Sequence, residues 1–345
     1  GSDLALLEEV RSLLRYDNPA DDPLEAPLDF DFTKTSNFSK TSVDATTRHA
    51  NEIVNDDEFL SRLSDVGILS SDELRAIEKD LSGEDGSSSP RTLASRLVSD
   101  GKLTQYQASA LLKGQPELLI DKYLILDLIE TGGMGMVFKA IHRPMNRIVA
   151  IKMIAKRLLA SGEQVRRFLR EVQVAATLEN VNIVRAYDAD QSKGIHFLVM
   201  EYVRGEDLAK IVRRDGPLTV ERAVDCIGQA ANGLRYAHRR GVVHRDIKPS
   251  NLMQTNEGLV KVLDLGLADV DESFRLVQSR SVDCRAGETE PELRAENLTE
   301  AGAVLGTASF MAPEQSRDAG LADTRSDIYS LGCTLYYLLM GETPY

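Results

Sequence analysis

The stretch that most constrains this chain is His244-Arg245-Asp246-Ile247-Lys248-Pro249-Ser250-Asn251, which follows the strand-like Gly241-Val242-Val243. Asp246 offers a carboxylate able to accept a hydroxyl proton. Lys248 adds a cation two residues on, and Asn251 an amide oxygen able to ligate a hard metal. These groups on one short loop suit transfer of a phosphoryl group from a Mg-nucleotide to an alcohol, where positioning and charge neutralisation outweigh covalent chemistry.

Such a loop needs a large scaffold, and 345 residues with 42% apolar and 28% charged content allow two domains or one two-lobed domain with a real core. The net charge of −13 argues against nucleic acid as a partner, so an anionic nucleotide would need a local basic site. Cys226, Cys284 and Cys333 are too scattered for a metal pattern or a disulfide framework, which suits a reducing cytoplasm. No apolar run reaches the roughly 18 residues of a membrane span. The opening Gly1-Ser2 without methionine suggests a fragment.

Leu4, Leu7, Val10 and Leu14 mark an amphipathic helix over 1–16, and the Pro- and Ser/Thr-rich run over 17–54 reads as a disordered linker. A small helical module is expected over 55–114. Its first helix carries the stripe Phe59, Leu60, Leu63 and Val66 and ends at Gly67. The second opens on the capping box Ser70-x-x-Glu73, the third on Pro90, and the fourth on Thr104-x-x-Gln107, stopping at Gly114. The module holds no catalytic constellation. Beyond it, Tyr123–Leu126 and Met136–Ala140 read as strands flanking the turn Gly132-Gly133-Met134-Gly135, whose glycines would let backbone amides approach phosphates.

The spacing H-R-D-x-x-x-x-N resembles the catalytic loop of protein kinases. From Tyr123 to its end the chain is similar to bacterial serine/threonine protein kinases of the eukaryotic-like (Hanks) type, and the helical module resembles the segment ahead of the kinase domain in planctomycete-type members. The resemblance implies an α+β, two-lobed protein-kinase-like fold. The antiparallel-sheet N-lobe and hinge would span 123–203 and the mainly helical C-lobe 204–345. Activity would be ATP-dependent phosphorylation of protein Ser/Thr hydroxyls with Mg²⁺ as cofactor.

Residue by residue, Gly132, Gly133, Gly135 and Val137 would match the glycine-rich loop, with Glu130 standing where the family has its first glycine. Val149-Ala150-Ile151-Lys152 matches V-A-I-K, so Lys152 would hold the α/β-phosphates and pair with Glu171 of the helix over about 163–178. Met200 would be the gatekeeper, the backbone of Glu201 and Val203 would meet adenine, and Val137, Ala150 and Met253 would sandwich its ring. Asp246 would be the base, Lys248 would stabilise the transferred group, and Asn251 with Asp264 of Asp264-Leu265-Gly266 would hold Mg²⁺. Asp327 would hold the catalytic loop's backbone. Gly306-Thr307 and Ala312-Pro313-Glu314 would close an activation segment lengthened by a polar insert near 271–297, with Thr299 as its phosphosite, paired with Arg245.

Partners would be protein substrates and a second copy for trans-autophosphorylation. The alternative is a pseudokinase scaffold, favoured by Glu130 and by Asn180 at the place of a family histidine. Family members continue beyond the turn Gly341–Tyr345. A truncated C-lobe is therefore expected, leaving Glu314 without its arginine and the apolar helix Asp327–Met340 uncovered.

Overall fold

The structure, a computed structural model, describes residues 56–81, 89–114, 118–132, 135–155, 159, 161–264, 309–318 and 321–345. The helix over 1–16, the linker over 17–54, Gly133 and the insert with Thr299 and Gly306-Thr307 lie outside them. The described residues fall into two compact units: those up to 155 with Ser192–Ile195, and those over 159–191 with those from His196 on.

In the first unit, α1 (Asp56–Val66) buries Phe59 and Leu63 completely and ends where Gly67 turns left-handed at φ +62°. Helix α2 (Ser71–Leu81) starts on the expected box, with Ser70 N–H donating to Glu73 Oε2 (2.9 Å) and Glu73 N–H to Ser70 Oγ (3.3 Å). Ser89 caps α3 (Pro90–Ser99), which buries Leu93, Ala94 and Leu97. Helix α4 (Gln105–Leu112) buries Ala108 and Leu111. Each cap satisfies amides the first turn leaves open, worth about 1 kcal/mol.

The sheet of this unit runs β1 (Leu119–Ile120), β2 (Tyr123–Gly132), β3 (Gly135–His142) and β4 (Arg147–Ile154), each antiparallel to the next. Strand alternation sorts its residues. Phe138 lies opposite Ile151 and Ala140 opposite Val149, and all four are buried. Tyr106 of α4 reaches that cluster, its ring centroid 5.9 Å from that of Phe138. The other face carries Val137, Ala150 and Lys152.

The second unit holds α5 (Gly162–Ala176), all but the facing end residues of the neighbouring strands β5 (Ala186–Ser192) and β6 (Ile195–Glu201), then α6 (Leu208–Asp215) and α7 (Val220–His238). A small antiparallel sheet joins β7 (Gly205–Asp207), β8 (Leu252–Thr255) and β9 (Val260–Val262). Helices α8 (Pro313–Arg317) and α9 (Thr324–Met340) follow. Helix α7 forms the core, its stripe Ala223, Cys226, Ala230, Leu234 and Ala237 packing with Val260, Val262, Leu331 and Leu338. Each fully buried leucine or valine contributes about 1.5–3 kcal/mol. Its small residues allow close approach: a Cβ on Gly233 would lie 2.8 Å from Asn182 O.

Helix α9 buries Ser326, Asp327, Ser330, Leu331, Thr334 and Leu338, while Ile328 (63%), Tyr336 (40%) and Met340 (54%) are exposed. One side of this helix is therefore uncovered among the described residues. Among the described residues Glu314 has a nearby partner, Ser326 Oγ, which donates to its Oε1 at 2.8 Å. Among the described residues no helix is long and apolar enough to cross a membrane.

Candidate active site

In the first unit, the β2–β3 turn brings Gly132 opposite Gly135. Gly135 is irreplaceable on geometric grounds. Its φ is +138°, and a Cβ there would lie 1.9 Å from Met153 O of β4. Gly132 has open space where a Cβ would go. Val137 faces Lys152 across the β3–β4 ladder, and Ala150, two residues before Lys152, shares that side. Two small apolar side chains and an ammonium thus share one sheet face. Lys152 is only 4% exposed, which a lysine accepts only when its charge is paired. Glu130 is exposed, so its carboxylate stays solvated.

In the second unit, the catalytic-loop candidates come together on one turn. Lys248 Nζ lies 2.9 Å from Asp246 Oδ2. Asn251 Nδ2 donates to the same oxygen at 3.0 Å and to Asp246 O at 2.7 Å. The loop is clamped from behind. Asp327 is fully buried and accepts from the N–H groups of His244 (2.8 Å) and Arg245 (2.7 Å) and from His238 Nε2 (2.7 Å). Asp246 N–H donates to His244 Nδ1 (3.2 Å), so the other ring nitrogen carries the proton and donates to Leu263 O (2.7 Å). Gln315 Nε2 holds Arg245 O at 2.6 Å.

Arg245 and Asp264 both have positive φ, +69° and +56°. Non-glycine residues persist there only when the surroundings over-determine them, and such strain collects at functional sites. The carbonyl of Asn251 receives Leu263 N–H at 2.9 Å, tying the loop to the residue before Asp264.

Met200 and Val203 are buried, whereas Glu201 and Met253 are half-buried. Glu201 N–H donates to Arg185 O at 2.9 Å, and Lys261 Nζ lies 3.0 Å from its carboxylate. Glu171 lies on α5, but its side chain is outside the described residues. Sequence reasoning missed His238 and Lys261, and placed Gln315 beside the end of the activation segment without foreseeing its bond to Arg245. Of the two missed, only His238 left a trace, six positions ahead of His244 at the end of a helix.

A family model described as protein kinase domain matches residues 123–345. The serine/threonine-protein kinase PknB of Mycobacterium leprae is 38% identical over 234 residues, covering 67% of this chain and 34% of PknB. PknB of Mycobacterium tuberculosis is 36% identical over 234 residues with the same coverage. A probable serine/threonine-protein kinase of Clostridium acetobutylicum is 34% identical over 228 residues, covering 66% of this chain and 31% of that protein. The chain thus spans about a third of the length of the curated relatives it matches. The crystal structure of the Mycobacterium tuberculosis PknI kinase domain aligns with 66% of this chain and 77% of its own, at 26% identity and a TM-score of 0.49. With the family model running over more than half of its length, the chain belongs to the protein kinase domain family.

Proposed function

We propose that the chain is an ATP-dependent serine/threonine protein kinase of the bacterial eukaryotic-like type. The observation that carries this reading is the convergence of Lys248 Nζ and Asn251 Nδ2 on Asp246 Oδ2, at 2.9 and 3.0 Å. A carboxylate held by two donors and backed by a buried anchor at Asp327 is fixed in orientation, as a base awaiting a hydroxyl must be. Lys248, beside it, suits the charge of the transferred group. Lys152 holds the nucleotide's phosphates, with Glu171 as its ion-pair partner, and Gly132, Gly133 and Gly135 let backbone amides approach them.

The metal-binding residues fit a hard cation. Both hydrogens of the Asn251 amide are engaged by Asp246, so its oxygen is the atom left for a metal, and Asp264 adds a carboxylate. Magnesium takes one or two such protein oxygens and completes its octahedron with waters and phosphates. When bound, it would neutralise charge on the β- and γ-phosphates. Met200, the backbone of Glu201 and Val203, and Val137, Ala150 and Met253 form the adenine environment in this reading.

The features that favour a non-catalytic scaffold have ordinary explanations. Glu130 is solvated, and Asn180 Oδ1 accepts Asn182 N–H at 2.8 Å, a local turn bond. Protein Ser/Thr hydroxyls are the substrates, and a second copy supplies trans-autophosphorylation at Thr299. The test is incorporation of γ-phosphate from Mg-ATP into a basic protein. Labelled phosphoserine or phosphothreonine is expected, and a wild-type chain that transfers nothing overturns the reading.

A further inference from the structure

The helices ahead of the sheet end in a contact that the family reading does not use. Strand β1 covers the outer edge of β2 for only two residues, pairing Leu119 with Leu124 and Ile120 with Tyr123. One more bond, Ile125 N–H to Leu118 O at 2.7 Å, closes that cover. The β2–β3 ladder then breaks register. Ile125 pairs with Ala140 and Asp127 with Lys139, so Leu126 has no partner on β3. A bulge at the end of a covered edge leaves carbonyls that the sheet does not satisfy.

The N-terminus of α4 takes both. Gln107 Nε2 donates to Ile125 O at 2.7 Å, and Thr104 Oγ1 donates to Leu126 O at 2.5 Å. The same two side chains close the capping box, Thr104 Oγ1 accepting Gln107 N–H (3.0 Å) and Gln107 Oε1 accepting Thr104 N–H (2.9 Å). Acceptors close the helix while donors close the strand. Gln107 is 2% exposed, so water cannot replace its bond.

We propose that Thr104 and Gln107 are positioning residues for nucleotide binding: by pinning the bulge, they fix the register in which β2 carries Gly132 opposite Gly135. A strand's side-chain period is two, so a one-residue slip sends every β2 side chain to the other face. A second irregularity between Leu128 and Glu130 leaves the rest of the ladder poorly placed to resist such a slip. The helical module is thereby a working part of the nucleotide-binding sheet. This inference rests on the kinase reading above for its effect on ATP, but not for its effect on the strand.

Gln107→Glu separates the two jobs, because a carboxylate still accepts Thr104 N–H but cannot donate to Ile125 O. In the full chain, hydrogen exchange of peptides covering 127–132 and 135–137 is measured without nucleotide, together with KM for Mg-ATP and kcat. Gln107→Glu should speed that exchange about tenfold, the weight of one buried hydrogen bond. It should also raise KM about three- to tenfold with kcat within about twofold. Thr104→Ser, which keeps both bonds, should match wild type. Unchanged exchange beyond Asp127, or a fall in kcat at constant KM, overturns the proposal. If Gln107→Glu does not fold, Thr104→Val is read by the same criteria. A wild-type chain inactive towards Mg-ATP would sink the kinase reading alone, since the exchange data still decide the clamp.

Discussion

His238 Nε2 donates to Asp327 Oδ2 at 2.7 Å, joining the end of α7 to the start of α9. The same carboxylate receives the N–H groups of His244 and Arg245. One buried acid thus fixes the loop that carries Asp246. Asp327→Ala would leave three donors without their acceptor, at about 1–3 kcal/mol for each buried one. We expect a stability loss on the order of 3–5 kcal/mol in denaturant melts. His238→Phe removes a single bond and should cost about 1 kcal/mol. Equal, small losses for the two variants would contradict the anchor.

The glycine turn predicts a contrast. Gly135→Ala meets Met153 O and a φ of +138°, whereas Gly132→Ala meets nothing within 4 Å. Gly135→Ala should weaken Mg-ATP binding at least about tenfold and lower the melting temperature, while the melt of Gly132→Ala stays within about 1 kcal/mol of wild type. Calorimetric titration and thermal melts on both variants check this, and equal effects would refute it.

A pH dependence follows from Glu73. Its carboxyl is held down to about 2 from an ordinary 4.5, first by the hydrogen bond from Lys102 and then by the Ser70 donors. Because the folded value is the lower one, the pair's stabilisation is full above about pH 4.5 and disappears as pH falls towards about 2. The Glu73 side chain is 38% exposed, so screening keeps the effect small. Glu73→Gln should melt slightly below wild type near neutral pH, with the gap closing by about pH 2. A gap that does not change across that range contradicts the assignment.

Much of this was legible in the chain because it is local. The caps at Ser70 and Thr104 depend on a partner three residues away, and the loop from Asp246 to Asn251 closes on itself within five. Anchoring by Asp327 could be expected only through family resemblance, since it acts across 83 positions to His244. Docking of α4 on the β2 bulge was not legible. It depends on which carbonyls a register break leaves open, and hydrophobic periodicity does not encode that. The left-handed Arg245 was hidden for a related reason: arginine does not announce a positive φ, which packing imposes, whereas Asp264 is of a type that visits that region more readily. The hydroxyl of Ser326 that donates to Glu314, twelve residues away, was not legible either.

If Asp246 is the base of a phosphoryl transfer from Mg-ATP to protein hydroxyls, its loss must stop turnover without loosening the nucleotide. The most direct measurement pairs turnover with nucleotide affinity for wild type, Asp246→Asn and Lys152→Met. Asp246→Asn should lose about a hundredfold or more in turnover while its nucleotide affinity stays within about threefold, because the base does not touch the nucleotide. Lys152→Met should lose both. If Asp246→Asn keeps more than about a tenth of the wild-type rate, Asp246 is not the base and the account fails.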